Sequence, residues 1–296
     1  MTRKTKQRWL LKWLQTPTLL ICGTCLLASA ASAQVVVHKF TYDSKGVEYH
    51  NLTTPTGPAA NPKSPFPTSI IAAIKNTQPK NPMVAMSWNG DVFIASVALK
   101  KSKVLVSQLK PDPTCQKKGK RKDAYAGKEM EFVYPLRTAG EWIKSEATTA
   151  ELAINTHFFF YAADPGSVRT DKCGAVTGLS RRENVSQPAQ PDIKAKVNNN
   201  QNVVSLVFGK DNKASIVDSS KALTGHNVVS GVPLLTGGKY VPSGPDPDVM
   251  HARTAVCLKP DGLLWVVAWV PKVNGVKAGS GVKLEDLASL MSANLN

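Results

Sequence analysis

Short apolar segments separated by turn-forming residues recur along this chain, and they limit the folds that it can adopt. The clearest pair is residues 254–258 and 263–270, joined by Lys259-Pro260-Asp261-Gly262. Proline presets φ and glycine supplies a left-handed position, so this pair is typical of a β-hairpin. Similar pairs are predicted around residues 43–46 and 211–213. The pattern predicts an α+β fold, with mostly antiparallel twisted sheets and a few short helices.

Three other local patterns add elements to this outline. Apolar residues at helical spacing predict helices over 138–147 and 283–295. A continuous strand is predicted over 151–159. A hairpin is predicted over 82–97, because Asn89-Gly90 is a favoured two-residue turn.

The first 33 residues have the composition of a secretory signal. Basic residues precede an apolar stretch, and Ala31-Ser32-Ala33 is a small-residue cleavage pattern. We expect cleavage after Ala33, a secreted or periplasmic location, and no stable membrane span after signal cleavage. The alternative is an uncleaved N-terminal anchor.

The rest of the chain is predicted to have two parts. Residues 34–89 hold N-terminal strands and a Pro-rich connection, since five prolines lie within 53–68. Residues 90–296 form the main domain.

The formal net charge is +16, and part of the excess is local. The basic run 117–122 is either a solvated loop or a contact for an anionic partner such as an envelope polymer. Basic residues are not interleaved with aromatic ones and no zinc-ligand spacing occurs, so no nucleic-acid partner is expected.

Three cysteines follow the leader. Cys115 and Cys173 lie in polar segments and are the better candidates for a disulfide in an exported protein. Cys257 lies in an apolar strand pattern and is predicted to be a buried small hydrophobic residue. A metal site built from these cysteines is not expected.

Polar residues interrupt the apolar strand predicted over 151–159. Strand alternation places Asn155 and His157 on one face. Asn155 can donate to an anionic or hydroxyl group, and a histidine titrates near neutral pH. Alternatively, both side chains lie at a solvent-facing strand end or satisfy buried backbone groups.

Arg253 and Thr254 lie at the start of the strand 254–258, and His251 precedes them. An arginine fork matches a phosphate group, although a structural ion pair would explain it equally well. Ser230-Gly231 lies in a Gly- and Pro-containing segment where the backbone could approach a ligand closely, or form an ordinary turn.

Other hydrolase patterns are missing from the sequence. No Gly-x-Ser-x-Gly elbow occurs, which disfavours a Ser-His-Asp hydrolase. No convincing pair of carboxylates for glycoside hydrolysis is found. Trp265 and Trp269 could form a sugar platform, but core packing is the expected role because both faces of their strand are apolar.

Two segments carry a family resemblance: 152–160, with Asn155 near its middle, and Val229-Ser230-Gly231-Val232-Pro233-Leu234-Leu235 followed by His251-Ala252-Arg253-Thr254-Ala255. In this order they resemble the phosphodiester glycosidase family, the lineage of the lysosomal uncovering enzyme. That family continues with a strand ending in Asn-Leu-Asp-Gly-Gly-Gly-Ser. This motif does not occur before Asn296, so the domain 90–296 is expected to be C-terminally truncated.

The resemblance implies hydrolysis of the bond between a sugar and a phosphodiester in a phosphate-linked glycan, with no cofactor. The residues that it implies are Asn155 and Arg253 as catalytic residues, and His157, Ser230, Gly231, His251 and Thr254 as substrate-binding residues. Slow hydrolysis is expected unless a loop carboxylate such as Asp246 or Asp248 supplies the acid. One alternative is a catalytically inactive envelope protein that binds a glycan or anionic polymer. Another is a chain that folds poorly because a central strand is missing.

Overall fold

The structure is a computed structural model of the whole chain. The residues that it describes are 25–29, 35–52, 68–78, 80, 88–122, 129–135, 137–147, 150, 152–156, 159–161, 173–176, 178–187, 204–242, 247–272 and 281–295.

Short β-strands dominate these residues, and nearly all lie near turn formers. In chain order the strands are β1 (Cys25–Ser29), β2 (Val35–Asp43), β3 (Gly46–Asn51), β4 (Gly90–Ala98), β5 (Lys103–Val106), β6 (Lys120–Lys122), β7 (Glu129–Glu131), β8 (Tyr134–Pro135), β9 (Leu152–Asn155), β10 (Phe159–Tyr161), β11 (Cys173–Val176), β12 (Arg181–Arg182), β13 (Val185–Ser186), β14 (Val204–Phe208), β15 (Ala214–Asp218), β16 (Asn227–Gly231), β17 (Leu235–Thr236), β18 (Lys239–Tyr240), β19 (Arg253–Leu258) and β20 (Leu263–Pro271).

The described residues include four α-helices: α1 (Thr68–Asn76), α2 (Pro113–Gln116), α3 (Ala139–Glu146) and α4 (Leu284–Leu295). The predicted helices 138–147 and 283–295 are confirmed as α3 and α4. Thr138 begins α3 through a capping box, in which its hydroxyl accepts from the Glu141 amide at 3.1 Å and the Glu141 carboxylate accepts from the Thr138 amide at 2.7 Å. The α+β fold with mostly antiparallel sheets is therefore confirmed.

The chain divides into two compact units. Unit 1 holds residues 1–33 and 99–232, and unit 2 holds residues 34–98 and 233–296. Each unit thus combines segments that are distant in sequence, and residues 34–98 contribute to the same unit as the C-terminal segment.

Unit 2 contains a five-stranded antiparallel sheet in the order β19-β20-β4-β2-β3. Residues from the sheet and from α1 and α4 form a single hydrophobic core. Trp269 and Val267 of β20 are fully buried in it, and Trp265 packs against it. The expected packing role of the two tryptophans is confirmed.

Unit 1 contains several sheets among its described residues. The largest also has five strands, in the order β13-β12-β16-β14-β15, and another has the order β10-β11-β8. The Cys115–Cys173 disulfide expected from the sequence is present, with 5.6 Å between the two Cα atoms. Both cysteines lie in a buried cluster with Phe132 and Ala175.

A third sheet of unit 1 includes part of the expected leader. Strand β1 lies between β5 and β9 and is antiparallel to both. Leu27 is the Cα partner of Leu105 on one side and of Ala153 on the other. A chain cleaved after Ala33 lacks this middle strand, so cleavage and the pairing of β5 and β9 are coupled.

Three local predictions differ from the structure. The strand expected over 151–159 is two strands in different sheets, because β9 ends at Asn155 and β10 begins at Phe159. Gly90 is the first residue of β4 and does not lie in a hairpin turn. A Cβ at this position would lie 2.3 Å from the Tyr42 hydroxyl, so the close packing requires a glycine. Most of residues 82–88 lie outside the described residues.

The prediction that Cys257 is buried is wrong in degree, because its side chain is only half-buried. Cys257 is a free thiol.

The basic run 117–122 is expected from the sequence to be a solvated loop or a contact for an anionic partner, and the structure differs in part from both. Its last three residues form β6, which pairs with β7 so that Lys120 lies opposite Glu131 and Lys122 opposite Glu129. In the backbone register, basic positions therefore face acidic ones.

Candidate active site

Asn155 lies at the end of an apolar strand in unit 1. It is the last residue of β9, after the buried residues Ala153 and Ile154. Its side-chain Oδ1 is buried and has no hydrogen-bond partner among the described residues. A buried amide oxygen without a partner is costly, which makes Asn155 a candidate for contact with a ligand hydroxyl. Because the strand ends here, alternation no longer relates Asn155 to His157, which lies outside the described residues.

Ser230 lies in the middle of a buried hydroxyl network. Its Oγ donates to the Leu179 carbonyl at 2.7 Å and lies 2.9 Å from the Ser205 Oγ. Ser205 in turn lies 2.7 Å from the Ser219 Oγ. With an exposed fraction of 3%, Ser230 links strands within unit 1. Its assignment to substrate binding stays a prediction.

Gly231 ends β16 beside this network. Apart from its two chain neighbours, no described residue has an atom within 4 Å of the position that a Cβ would occupy there. The backbone at Gly231 therefore faces open space, which is the condition for close approach of a ligand.

Arg253 is the first residue of β19 in unit 2, opposite Trp269 in the register. Its Nη2 donates to the Val249 carbonyl at 3.0 Å, which ties the guanidinium to the segment that precedes the strand. The side chain is half-buried. An arginine held in this way by a carbonyl keeps its full positive charge, so it can still attract an anion.

His251 and Thr254 flank Arg253. The backbone of His251 forms an isolated antiparallel bridge with Val282, and its carbonyl accepts from the Val282 amide at 2.9 Å. Gly281 must be a glycine for this bridge, since a Cβ would lie 2.2 Å from the His251 carbonyl oxygen. Thr254 is exposed.

Residues that the sequence did not single out also lie in the region of Arg253. Burial raises the pKa of Tyr240 in β18, the negative charges of Asp248 and Glu285 raise it further, and the positive charge of Arg253 opposes the shift. All three charges therefore act on the same phenol. Glu285 is in the first turn of α4, 32 residues after Arg253, so no local sequence pattern could have indicated this grouping.

The six described site residues are divided between the two units. Asn155, Ser230 and Gly231 belong to unit 1, and His251, Arg253 and Thr254 belong to unit 2. Of the two loop carboxylates considered as acids, Asp248 is exposed next to the Arg253 segment, and Asp246 lies outside the described residues.

The comparisons with known proteins decide the family. The phosphodiester glycosidase family model matches residues 148–296, which contain both predicted motifs. The chain belongs to the phosphodiester glycosidase family. A search of curated proteins found no match. The match spans about half of the chain and includes Asn155, Ser230, Gly231 and Arg253.

The described part of this family member lacks two kinds of feature. No group of three or more His, Cys, Asp or Glu side chains in the described part of the chain is arranged to hold a metal ion. Within those same residues, no helix is both long enough and apolar enough to cross a membrane.

Proposed function

We propose that this protein is an exported hydrolase that acts on sugar-1-phosphodiester bonds in phosphate-linked glycans. Family membership suggests phosphodiester glycosidase activity. The observation that carries the finer proposal is the surroundings of Arg253. Arg253, the candidate cation for the phosphate, and two carboxylates, Asp248 and Glu285, all act on the Tyr240 phenol: the carboxylates raise its pKa and Arg253 opposes that shift.

The proposed reaction adds water across the bond between the anomeric carbon and the phosphate oxygen. The hydroxyl of water bonds to the anomeric carbon, and the bond from this carbon to the phosphate oxygen breaks. The oxygen leaves with the phosphate, and a proton goes to it or to solvent. The products are a free sugar and a phosphomonoester.

Arg253 would bind the non-bridging phosphate oxygens, because its planar fork can donate two parallel hydrogen bonds. Its bond to the Val249 carbonyl fixes the guanidinium before substrate arrives, which lowers the entropy lost on binding. Asp248 and Glu285 are the candidates for the general acid that protonates the leaving oxygen, a role that contributes roughly 10²–10⁴-fold in rate.

Asn155 and Gly231 are the candidates for sugar contacts. The buried Oδ1 of Asn155 can accept a hydrogen bond from a sugar hydroxyl, and the space beside the Gly231 Cα would let a ligand atom approach the backbone. These assignments are tested separately from that of Arg253.

The test is release of free sugar from a synthetic sugar-1-phosphodiester by purified protein. We expect Arg253→Ala to raise KM about tenfold or more, and either Asp248→Asn or Glu285→Gln to lower kcat with little change in KM. Arg137→Ala is the matched control, because the exposed Arg137 pairs with Glu146 in unit 1. Turnover by the protein that is unchanged in Arg253→Ala would contradict the proposal.

The same experiment also tests a second candidate function, binding without hydrolysis. If the diester binds and Arg253→Ala weakens binding, but no free sugar appears, the protein is a glycan- or anionic-polymer-binding protein of the envelope. Arginine recognition of phosphate needs charge and geometry and no proton transfer, so binding can persist where turnover does not.

A further inference from the structure

A concave site lies in unit 1, beside the hairpin formed by β14 and β15. Its volume is about 450 Å³. It is lined by the turn between these two strands and by the segment that leads into β16. A volume of this size falls within the roughly 300–1,000 Å³ of small-molecule pockets. We call it the hairpin pocket.

The charge of the hairpin pocket is strongly one-sided. Three lysines line it, Lys210, Lys213 and Lys221, and none of its lining residues is acidic. Lys213 forms a 2.8 Å ion pair with Asp211. That pair offsets one positive charge, so about two positive charges face the pocket.

Other polar residues supplement the lysines. Ser215, Thr224 and His226 also line the pocket. The Nδ1 of His226 is buried and has no hydrogen-bond partner among the residues that the structure describes. Such an atom is costly unless a ligand or a water molecule satisfies it.

Backbone hydrogen bonds hold the pocket walls in place. The Gly209 amide donates to the Lys213 carbonyl at 2.8 Å, which closes the turn. On the other wall, Arg181 Nε donates to the Gly225 carbonyl at 2.9 Å, and the Asn184 amide donates to the His226 carbonyl at 2.8 Å. The Gly225 and His226 carbonyl oxygens are therefore engaged within the protein and do not oppose an anion as free acceptors.

We propose that the hairpin pocket binds the dianion of a phosphomonoester. A phosphomonoester carries about −1.5 to −2 charges at pH 7 and three strong acceptor oxygens. This charge matches the two positive charges left in the pocket, whereas a carboxylate or a phosphodiester carries only one negative charge. Lysine ammonium groups and hydroxyls are suitable donors to its oxygens.

This site is distinct from the family site, because none of the residues that carry the family motifs lines it. A phosphomonoester is also the product that the proposed hydrolysis would leave on a glycan. The relation between this ligand and the reaction product rests on the proposed function. The choice of a phosphomonoester as ligand rests only on the residues of the hairpin pocket.

The test is titration of the Arg253→Ala protein with glycerol 3-phosphate by calorimetry, so that phosphate binding at Arg253 does not contribute. We expect saturable binding, with affinity reduced about tenfold or more by a further Lys210→Gln/Lys221→Gln change. Lys100→Gln/Lys144→Gln is the control, because both lysines are exposed in unit 1 and the change in net charge is the same. Circular dichroism checks that each variant is folded.

Three results would overturn the assignment. Absence of saturable binding would show that the pocket is not a phosphomonoester site. An equal loss in the Lys100/Lys144 control would show non-specific attraction by net charge. Equal affinity for dimethyl phosphate, a singly charged diester, would show that the pocket does not select a dianion. None of these readouts depends on hydrolysis, so they are separate from the test of the proposed function.

Discussion

The indole N–H of Trp269 donates a 2.9 Å hydrogen bond to the phenol oxygen of Tyr42, across 227 residues of sequence. Both side chains are buried, at 1% exposure each. The bond connects β20 with β2, which lie on either side of β4 in the sheet of unit 2. Burial raises the pKa of Tyr42 well above its ordinary value, so the phenol stays neutral.

Tyr42→Phe should destabilise unit 2 by about 1–3 kcal/mol, because it leaves the buried Trp269 N–H without an acceptor. The measurement is the urea midpoint together with the m-value. Tyr240→Phe is the control: Tyr240 is half-exposed, and its change should cost about 0.5 kcal/mol or less. Equal effects of the two substitutions would show that the Tyr42 bond contributes nothing specific.

His38 should make stability depend on pH in a defined direction. Burial lowers its pKa below the ordinary 6.5, and its Nδ1 lies 2.8 Å from the Tyr49 hydroxyl. The unfolded chain therefore takes up this proton at a higher pH than the folded chain does. The stability that depends on neutral His38 is full above pH 6.5 and is lost as pH falls from 6.5 through the folded pKa.

The check compares thermal unfolding at about pH 7.5 and 5.5. His38→Gln should lower the difference between the two midpoints relative to the unchanged protein. His50→Gln should leave the difference in place, because the His50 side chain is more exposed than the buried His38. A pH dependence that survives intact in His38→Gln assigns the effect to other groups.

The Cys115–Cys173 disulfide closes a loop with a sequence separation of 58. By restricting the unfolded chain, a loop of this length is expected to stabilise unit 1 by about 2–4 kcal/mol. Cys115→Ser/Cys173→Ser should lower the guanidinium midpoint accordingly, and reductant should have no further effect on that variant. Cys257→Ser, which removes the free thiol, should retain sensitivity to reductant.

Removal of the leader should loosen the β5-β1-β9 sheet. We expect the exported protein to begin at Gln34, as intact-mass measurement would show. Hydrogen exchange should then be faster in β5 and β9 of the 34–296 protein than in the full chain, because both strands lose the backbone partners that β1 provides. Strand β14, paired with β15 and β16, is the internal control. Equal protection of β5 and β9 in the two proteins would contradict this expectation.

Gly231→Ala separates ligand contact from folding. Its chain neighbours apart, the added methyl group would meet no atom of the described residues within 4 Å, so stability should change by about 0.5 kcal/mol or less. If the sugar approaches the backbone here, KM for the diester should rise several-fold with the fold intact. An unchanged KM would remove Gly231 from the predicted site.

The sequence by itself determined the elements whose cause is local. The Asp43–Gly46 turn is closed by Asp43 Oδ1, which accepts from the Gly46 amide at 3.1 Å, and the Thr138 cap begins α3 within four residues. Alternation and turn chemistry act over a few residues, so they can be read directly from the chain. The pattern around Arg253 likewise gave the family before any pairing was known.

Only the tertiary structure decided which distant segments meet. Gly90 looked like a turn residue, but the Tyr42 hydroxyl and the Val270 carbonyl fill the space beside its Cα, so that it begins a central strand instead. The charges that act on Tyr240 come from three separate segments, and Ser230 is held by a carbonyl 51 residues away. Such contacts depend on strand order and register, which short-range propensity does not specify. The packing energy that selects one order and register is shared among residues far apart in the chain.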